Sequence, residues 1–248
     1  MTFTERAGVF WRLHFLQLLW NFKGMQNMGY LYVIRPILRR LYSGEEYNEA
    51  ERRHIKFFNT HPYFACICIG VIIKFEEELK EGTFKKPEMI PVLKNRMSGP
   101  LAAVGDTYFW ETLIPVLSSI AVLGVYLFGP GNINAIYTLG IVLGVYILSV
   151  ELIRWQGVGW GYEHGLGVVE LLKRKDFQGS MKRIRNAAAL MLGMATVIFI
   201  LKTGGEMRMP LIRVGVMAAM VIMTLKRISP TIQLYTLCTA GFLYGMIQ

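Results

Sequence analysis

The chain has 248 residues, 53% hydrophobic and 18% charged, with a mean hydropathy of +0.38. So little charge against a soluble average of about 25% excludes a disordered chain, and three cysteines cannot staple this length as a disulfide scaffold. A net charge of +10 would suit a nucleic-acid binder, but with this hydropathy it fits better a membrane protein whose basic loops face an anionic leaflet. No nucleic-acid partner is therefore expected.

Apolar residues concentrate in 101–153 and 187–248. Met1–Gly8 is polar and no signal peptide is visible, so insertion is expected to use internal segments. In residues 9–22, Phe15, Leu18, Leu19 and Phe22 recur at helical spacing, with His14, Gln17 and Asn21 opposite. That predicts an amphipathic helix too short and polar to span, with Trp11 and Trp20 suited to an interface; a soluble core helix is the alternative. Ser43-Gly-Glu-Glu46 has capping-box spacing and opens a charged helix toward Phe58. Asn59-Thr60-His61-Pro62 ends it, because a residue preceding proline avoids the helical region.

Residues 63–73 are apolar but only eleven long, half of what a span requires. They predict either a buried core helix or a re-entrant arm. Residues 97–105 are a second short apolar stretch, interrupted by Gly99-Pro100. Paired interrupted segments of this kind mark transporter binding sites. Residues 108–128 and 133–153 are long enough to span, with the uncharged turn Gly129-Pro-Gly-Asn132 between them. Residues 187–201, 209–225 and 231–247 are three slightly short further candidates.

Lys and Arg crowd residues 154–185, and Lys226-Arg227 lie one pair of spans later. The positive-inside rule then puts 1–96, 154–185 and 226–230 in the cytoplasm. The predicted fold is an all-α integral membrane protein in three parts. Residues 1–62 form amphipathic helices at the cytoplasmic interface. Residues 63–186 form a core with re-entrant hairpins, two spanning helices and a basic loop. Residues 187–248 form C-terminal transmembrane helices.

Few residue groups suggest chemistry. Cys66 and Cys68 lack the partners of a structural zinc site and read as buried apolar thiols. The run Gly157–Gly167 fails the phosphate-loop pattern. Gly161 and Gly165 read instead as helix-contact glycines, like the pairs Gly140/Gly144 and Gly241/Gly245. His14 and His54 fall on polar helix faces, whereas His61 sits at a helix break beside Asn59 and Thr60. Asp106 lies between two apolar stretches. An acid there implies a pathway or ligand, or a helix N-cap serving Phe109 or a neighbour; both can hold at once. Trp110 follows one turn later. A carboxylate with an indole suits a sugar, whose hydroxyls need acceptors and whose C–H face needs a ring. Glu111 is expected to pair with a partner chain or a base such as Arg96. Asn21, Gln26, Asn27 and Asn59 add amides that donate and accept.

Three motifs carry a family resemblance. Trp20-Asn-Phe-Lys-Gly-Met-Gln-Asn-Met-Gly-Tyr30, Phe57-Phe-Asn-Thr-His-Pro-Tyr63 and Ser98-Gly-Pro-Leu-Ala-Ala-Val-Gly-Asp-Thr-Tyr-Phe-Trp110 resemble signatures of the IID membrane component of the mannose/fructose/sorbose family of the bacterial sugar phosphotransferase system. Ile153-Arg-Trp-Gln-Gly157 is a weaker match. The resemblance implies a multi-pass protein of the bacterial inner membrane that builds a permease with a IIC subunit, as a trimer of IIC–IID pairs. IIB and IIA phosphocarrier proteins would phosphorylate the entering mannose-type hexose or amino sugar. No catalytic residue, metal or cofactor is expected on this chain. Asn59, His61, Asp106 and Trp110 are expected along the substrate path. Gln26, Asn27, Gly99, Pro100 and Gly105 are expected to support the hairpins. Ser98, Ala103, Glu111 and Lys74 depart from the family pattern, and the chain ends early, at Gln248. These departures keep a transport-deficient scaffold or sensor as the alternative.

Overall fold

Thr2 opens the first helix with a capping box. Its hydroxyl accepts from the Glu5 N–H (3.3 Å), and Glu5 accepts in return from the Thr2 N–H (2.6 Å). The resulting α1 covers Phe3–Leu13. The computed structural model describes residues 1–168, 170 and 179–187, with positions 215, 218, 219, 222, 223, 226 and 236. Nearly all of the three candidate spans from residue 187 onward, and Gly241/Gly245, lie outside the described residues, as do residues 169 and 171–178 of the basic loop. Two units divide the chain, Met1–Ala189 and Leu190–Gln248; every element below belongs to the first.

The amphipathic helix expected over 9–22 ends at Leu13 and gives way to tight turns bonded three residues back, such as Phe15 N–H to Arg12 O (3.0 Å). The turns change which face is buried. Val9, Leu13 and Leu16 enter the core, while Phe15, Leu18, Leu19 and Phe22 are exposed together with Trp11 and Trp20. Next, α2 (Asn27–Leu41) buries Tyr30, Val33, Ile34, Ile37 and Leu38, one stripe of a 3.6-residue repeat. Gly29 lets this helix approach the Leu16 carbonyl so closely that a Cβ would overlap it. Ser43 precedes α3 (Gly44–His54), but no side-chain cap bond forms.

Helix α4 (Ala65–Lys80) is the centre of the fold, buried at every residue from Ala65 to Ile73. The segment is buried within the protein, as the core-helix reading expects. Residues 97–105 also run inside a longer helix, α5 (Met89–Tyr108), which carries Pro100 in its interior. Beside that proline, Thr60 Oγ1 donates to the Ser98 carbonyl (2.8 Å) and braces the backbone. A π-helical turn, Phe109–Leu113, leads into α6 (Ile114–Phe128). Pro115 has no N–H to offer the Glu111 carbonyl four residues back, which favours the wider turn here.

Gly129 and Gly131 take positive φ (87° and 82°) in the predicted turn. Asn132 then caps α7 (Ile133–His164), accepting from the Asn134 N–H (2.9 Å). Among the described residues two runs are long and apolar enough to cross a membrane: Met89–Phe128, 40 residues, and Ile133–Gly167, 35 residues. No strand occurs among the described residues; the chain pairs only as isolated bridges, Asn21 with Met25 and Met25 with Phe58.

The C-terminal half of α7 packs on α4. Gly161 faces the Ile67 carbonyl and Gly70 faces the Val158 carbonyl, each too closely for a Cβ. The helix-contact reading therefore holds for Gly161. Gly165 does something else: it ends α7 with φ 55°. Gly140 and Gly144 meet nothing within 4 Å.

A buried ionic cluster ties α3 to α4. Arg53 donates to both Glu76 oxygens (2.7 and 2.6 Å), and Tyr42 Oη donates to Oε2 (2.8 Å). His54, expected on a polar face, is fully buried with Nε2 2.7 Å from Glu76 Oε1. Burial alone would raise the Glu76 carboxyl, but the bonds from Arg53 and His54 overcome it and hold the group at about 2. Lys94 reaches in from α5, donating to the His54 and Lys56 carbonyls (2.9 and 3.2 Å) over the Tyr30 and Phe58 rings.

Candidate functional site

The three sequence motifs meet at one place. Gly24 O accepts from the Phe58 N–H (3.3 Å), and Phe58 O accepts from the Gln26 N–H (2.9 Å). Met25, between them, adopts φ 55°, a strained value for a residue other than glycine. The Gln26 side chain completes the join like a short piece of strand. Its Nε2 donates to Thr60 O (2.9 Å) and its Oε1 accepts from the Thr60 N–H (3.1 Å), both buried. Thr60 in turn bonds the third motif through Ser98 O. Each motif thus fixes the backbone of the next. The joining groups are buried amides and a hydroxyl that would be costly to leave unpaired.

His61 sits where the three converge and is buried. It stacks on Phe109 at 5.1 Å with 9° between planes, and it lies 5.8 Å from Trp110. Gly105 makes the stack possible, since a Cβ there would overlap the imidazole. His61 Nδ1 lies 3.3 Å from the Tyr63 N–H and accepts from it. That bond assigns the proton of the neutral ring to Nε2. Nε2 is buried with no partner among the described residues. An unpaired buried donor costs about 1–3 kcal/mol, and such groups call for a functional explanation.

Asn59 and Asp106 are both exposed, each adjacent in sequence to this centre. Asp106 is not an N-cap: α5 runs through it to Tyr108, and its carbonyl accepts from the Phe109 N–H instead. Trp110, 51% exposed, lies on the π-helical turn. The extra residue of a π turn shifts the side chains that follow. Glu111 pairs with Arg185 (3.1 Å), not with Arg96. Asn27 braces a neighbouring stretch: its Nδ2 donates to Ile55 O (2.7 Å) and its Oδ1 accepts from Asn21 Nδ2 (3.0 Å). Gly99 meets nothing within 4 Å, and Pro100 is half-buried in α5.

A polar cluster on the other flank of Trp110 was not singled out from the sequence. His14 Nε2 lies 3.0 Å from Glu151 Oε2, and Arg154 Nη1 donates to Glu151 Oε1 (2.8 Å). The Arg154 guanidinium lies over the Tyr63 ring at 5.1 Å, and Tyr63 Oη is 2.8 Å from Tyr146 Oη. The partners are separated by up to 137 positions, so no local pattern signals them. An acid at position 151 inside an apolar helix was the available clue. Cys66 and Cys68 are buried free thiols. Among the described residues no group of three or more His, Cys, Asp or Glu could hold a metal ion.

Comparison with known proteins finds relatives of this chain. The sequence family described as the PTS system mannose/fructose/sorbose family IID component matches residues 1–248. The chain is 32% identical to the mannose-specific EIID component of Escherichia coli K12, over 86% of this chain and 72% of that protein. It is 35% identical to the fructose permease IID component of Bacillus subtilis 168, over 72% of this chain and 63% of that one. Among solved structures, a chain from the mannose transporter ManYZ in complex with microcin E492 matches with a TM-score of 0.60 and 26% identity, covering 99% of this chain and 97% of that one. Another membrane protein matches with a TM-score of 0.71 and 25% identity, over 98% and 97%.

Proposed function

Because this chain belongs to the mannose/fructose/sorbose family of phosphotransferase-system IID components, we propose that it forms, with a IIC subunit, the path by which a mannose-type hexose or amino sugar enters a bacterial cell. IIB, supplied by IIA, phosphorylates the sugar as it arrives. The chain contributes position and recognition, and the phosphoryl chemistry belongs to its partners. It spans the inner membrane several times and works within a trimer of IIC–IID pairs.

The observation that carries this reading is the convergence of three distant motifs around the buried His61. His61 carries an unpaired Nε2–H there, near the exposed Trp110 indole, with Asn59 and Asp106 exposed and close in sequence to His61 and Gly105. Such a set supplies a donor, acceptors and an apolar ring, which is what a polyol requires. The locked backbone around His61 moves as a unit, so alternating access carries the centre intact from one side to the other. The exposed apolar faces of α6 and α7 are left to the bilayer and to IIC.

Tagged purification from detergent-solubilised native membranes, with mass spectrometry of what co-purifies, tests the partnership. A stoichiometric polytopic IIC-like protein, with IIB weakly retained, is expected. A stable chain without such a partner would favour the scaffold or sensor reading.

A further inference from the structure

A half-enclosed cavity of about 260 Å³ opens beside Trp110, on the flank where the polar cluster lies. Its walls come from four separate places in the chain. His14 and Gln17 come from the turns after α1, Tyr63 from the loop before α4, Trp110 from the π-helical turn, and Arg154 from α7. The wall is mixed in character: an indole and a phenol ring on one hand, an amide, an imidazole and a guanidinium on the other.

Two of these groups are held in place from behind. Glu151 does not line the cavity, but it bonds both His14 Nε2 and Arg154 Nη1. Phe10 O and Trp11 O fix the His14 Nδ1 side (3.2 and 3.3 Å). A site whose polar groups are held by supporting bonds loses little entropy when a ligand arrives. Arg154 Nε is buried and has no partner among the described residues. A buried guanidinium N–H without an acceptor costs free energy unless an acceptor is brought to it.

The ligand class follows from size and charge. The volume lies below the roughly 300–1,000 Å³ of drug-sized pockets and admits one small ring. The Arg154 charge is matched by Glu151 at 2.8 Å, so an anion would compete with a carboxylate already in place. An uncharged ligand with several hydroxyls does not: it accepts from the Arg154 guanidinium, exchanges bonds with the Gln17 amide, both of which line the cavity, and covers Trp110 with its C–H face.

We propose that this cavity is a vestibule for a single uncharged hexopyranose, in which Gln17 and Arg154 select among hexoses before the sugar reaches His61. The proposal rests on the permease reading above and adds to it the residues that set specificity.

The test is isothermal titration of D-mannose, D-glucose and D-fructose into the purified complex of this chain with its IIC partner. The wild-type complex should bind at least one of the three. Gln17→Ala should weaken that sugar about fivefold or more, the size of one lost hydrogen bond. Arg154→Lys keeps the charge and loses the planar guanidinium fork; it should change the ratio of dissociation constants between two of the sugars at least about fivefold. A merely structural residue would weaken all sugars in proportion and leave that ratio alone. If the wild type binds and both variants keep its affinities and ratios, the vestibule is wrong and the permease reading stands. If the wild type binds none of the three, the uncharged-hexose vestibule is wrong, while the permease reading, which also admits an amino sugar, is not overturned. Gln17 is exposed on a turn, so its variant folds and decides the matter even where Arg154→Lys does not assemble.

Discussion

Helices α4 and α7 are both strongly apolar, yet their surroundings are opposite. From Ala65 to Ile73 every residue of α4 is buried. Between Ile133 and Ser149, α7 buries only Ala135, and Ile136, Tyr137, Ile141, Leu143, Ile147 and Leu148 are exposed. Beyond Val150 the same helix turns into a core element, because Gly157 and Gly161 let it lie directly on α4. Hydrophobicity therefore does not distinguish a core helix from a membrane-facing one. Length and the placement of small residues do. An eleven-residue apolar run can only be buried by protein, whereas a run above about 20 can be buried by lipid or by a partner subunit.

The contrast can be broken at its tightest point. Gly161→Leu drives a side chain into the Ile67 carbonyl, where the backbone cannot yield. The expected loss is about 4 kcal/mol or more, seen as failure to recover folded protein by size-exclusion chromatography in detergent.

Next comes the charge cluster that seats α3 on α4. Glu76→Gln leaves Arg53 and His54 without their carboxylate and should cost about 3–5 kcal/mol in thermal unfolding. The pH dependence has a definite sign. The folded Glu76 value of about 2 lies below the ordinary carboxylate value, so its stabilisation is full above that ordinary value and is lost as pH falls toward 2. Burial also lowers His54, despite its bond to Glu76. Its contribution likewise disappears as pH falls below its unfolded value of about 6.5. Melting temperatures recorded from pH 8 to pH 3 should fall in the wild type and change less in Glu76→Gln.

A milder change sharpens the role of the site. Gly105→Ala pushes a methyl group into the His61 ring. Overpacking of this kind costs about 1–3 kcal/mol. Sugar uptake should fall about tenfold while co-purification with IIC survives, since 1.4 kcal/mol of misplacement corresponds to a factor of ten. The smallest effect belongs to Gly140→Leu on the exposed half of α7. With nothing within 4 Å, the melting temperature of the chain alone should move by no more than about 0.5 kcal/mol allows.

The sequence carried the helical character, the Gly129–Asn132 turn and the family motifs in local form, because turn chemistry and apolar spacing are local. It misled wherever a distant contact decided the outcome. The stripe from Phe15 to Phe22 has helical spacing, but the chain leaves the helix at Leu13 and buries Leu16 instead. His54 occupies a polar helical position, yet Glu76, 22 residues away, draws it into the core. Gly99-Pro100 looked like a break and is absorbed within α5. Asp106 looked like a cap and lies inside the same helix. Thr2-x-x-Glu5 has capping-box spacing that was not singled out from the sequence, and it marks the start of α1. Within the candidate site, the motifs named His61, Gly105 and Trp110. Only the fold discloses that Gln26 joins two motifs through Thr60, and that Glu151 and Arg154 stand beside the indole.

The central claim is that the convergence of the three motifs handles the sugar. It is tested most directly by uptake of radiolabelled hexose in cells carrying the full set of phosphotransferase components and the Asp106→Ala chain, with assembly checked by co-purification of IIC. Asp106 is exposed, so its replacement leaves the fold intact. The account predicts an assembled complex that takes up no sugar. Wild-type uptake by a well-expressed Asp106→Ala complex would contradict it.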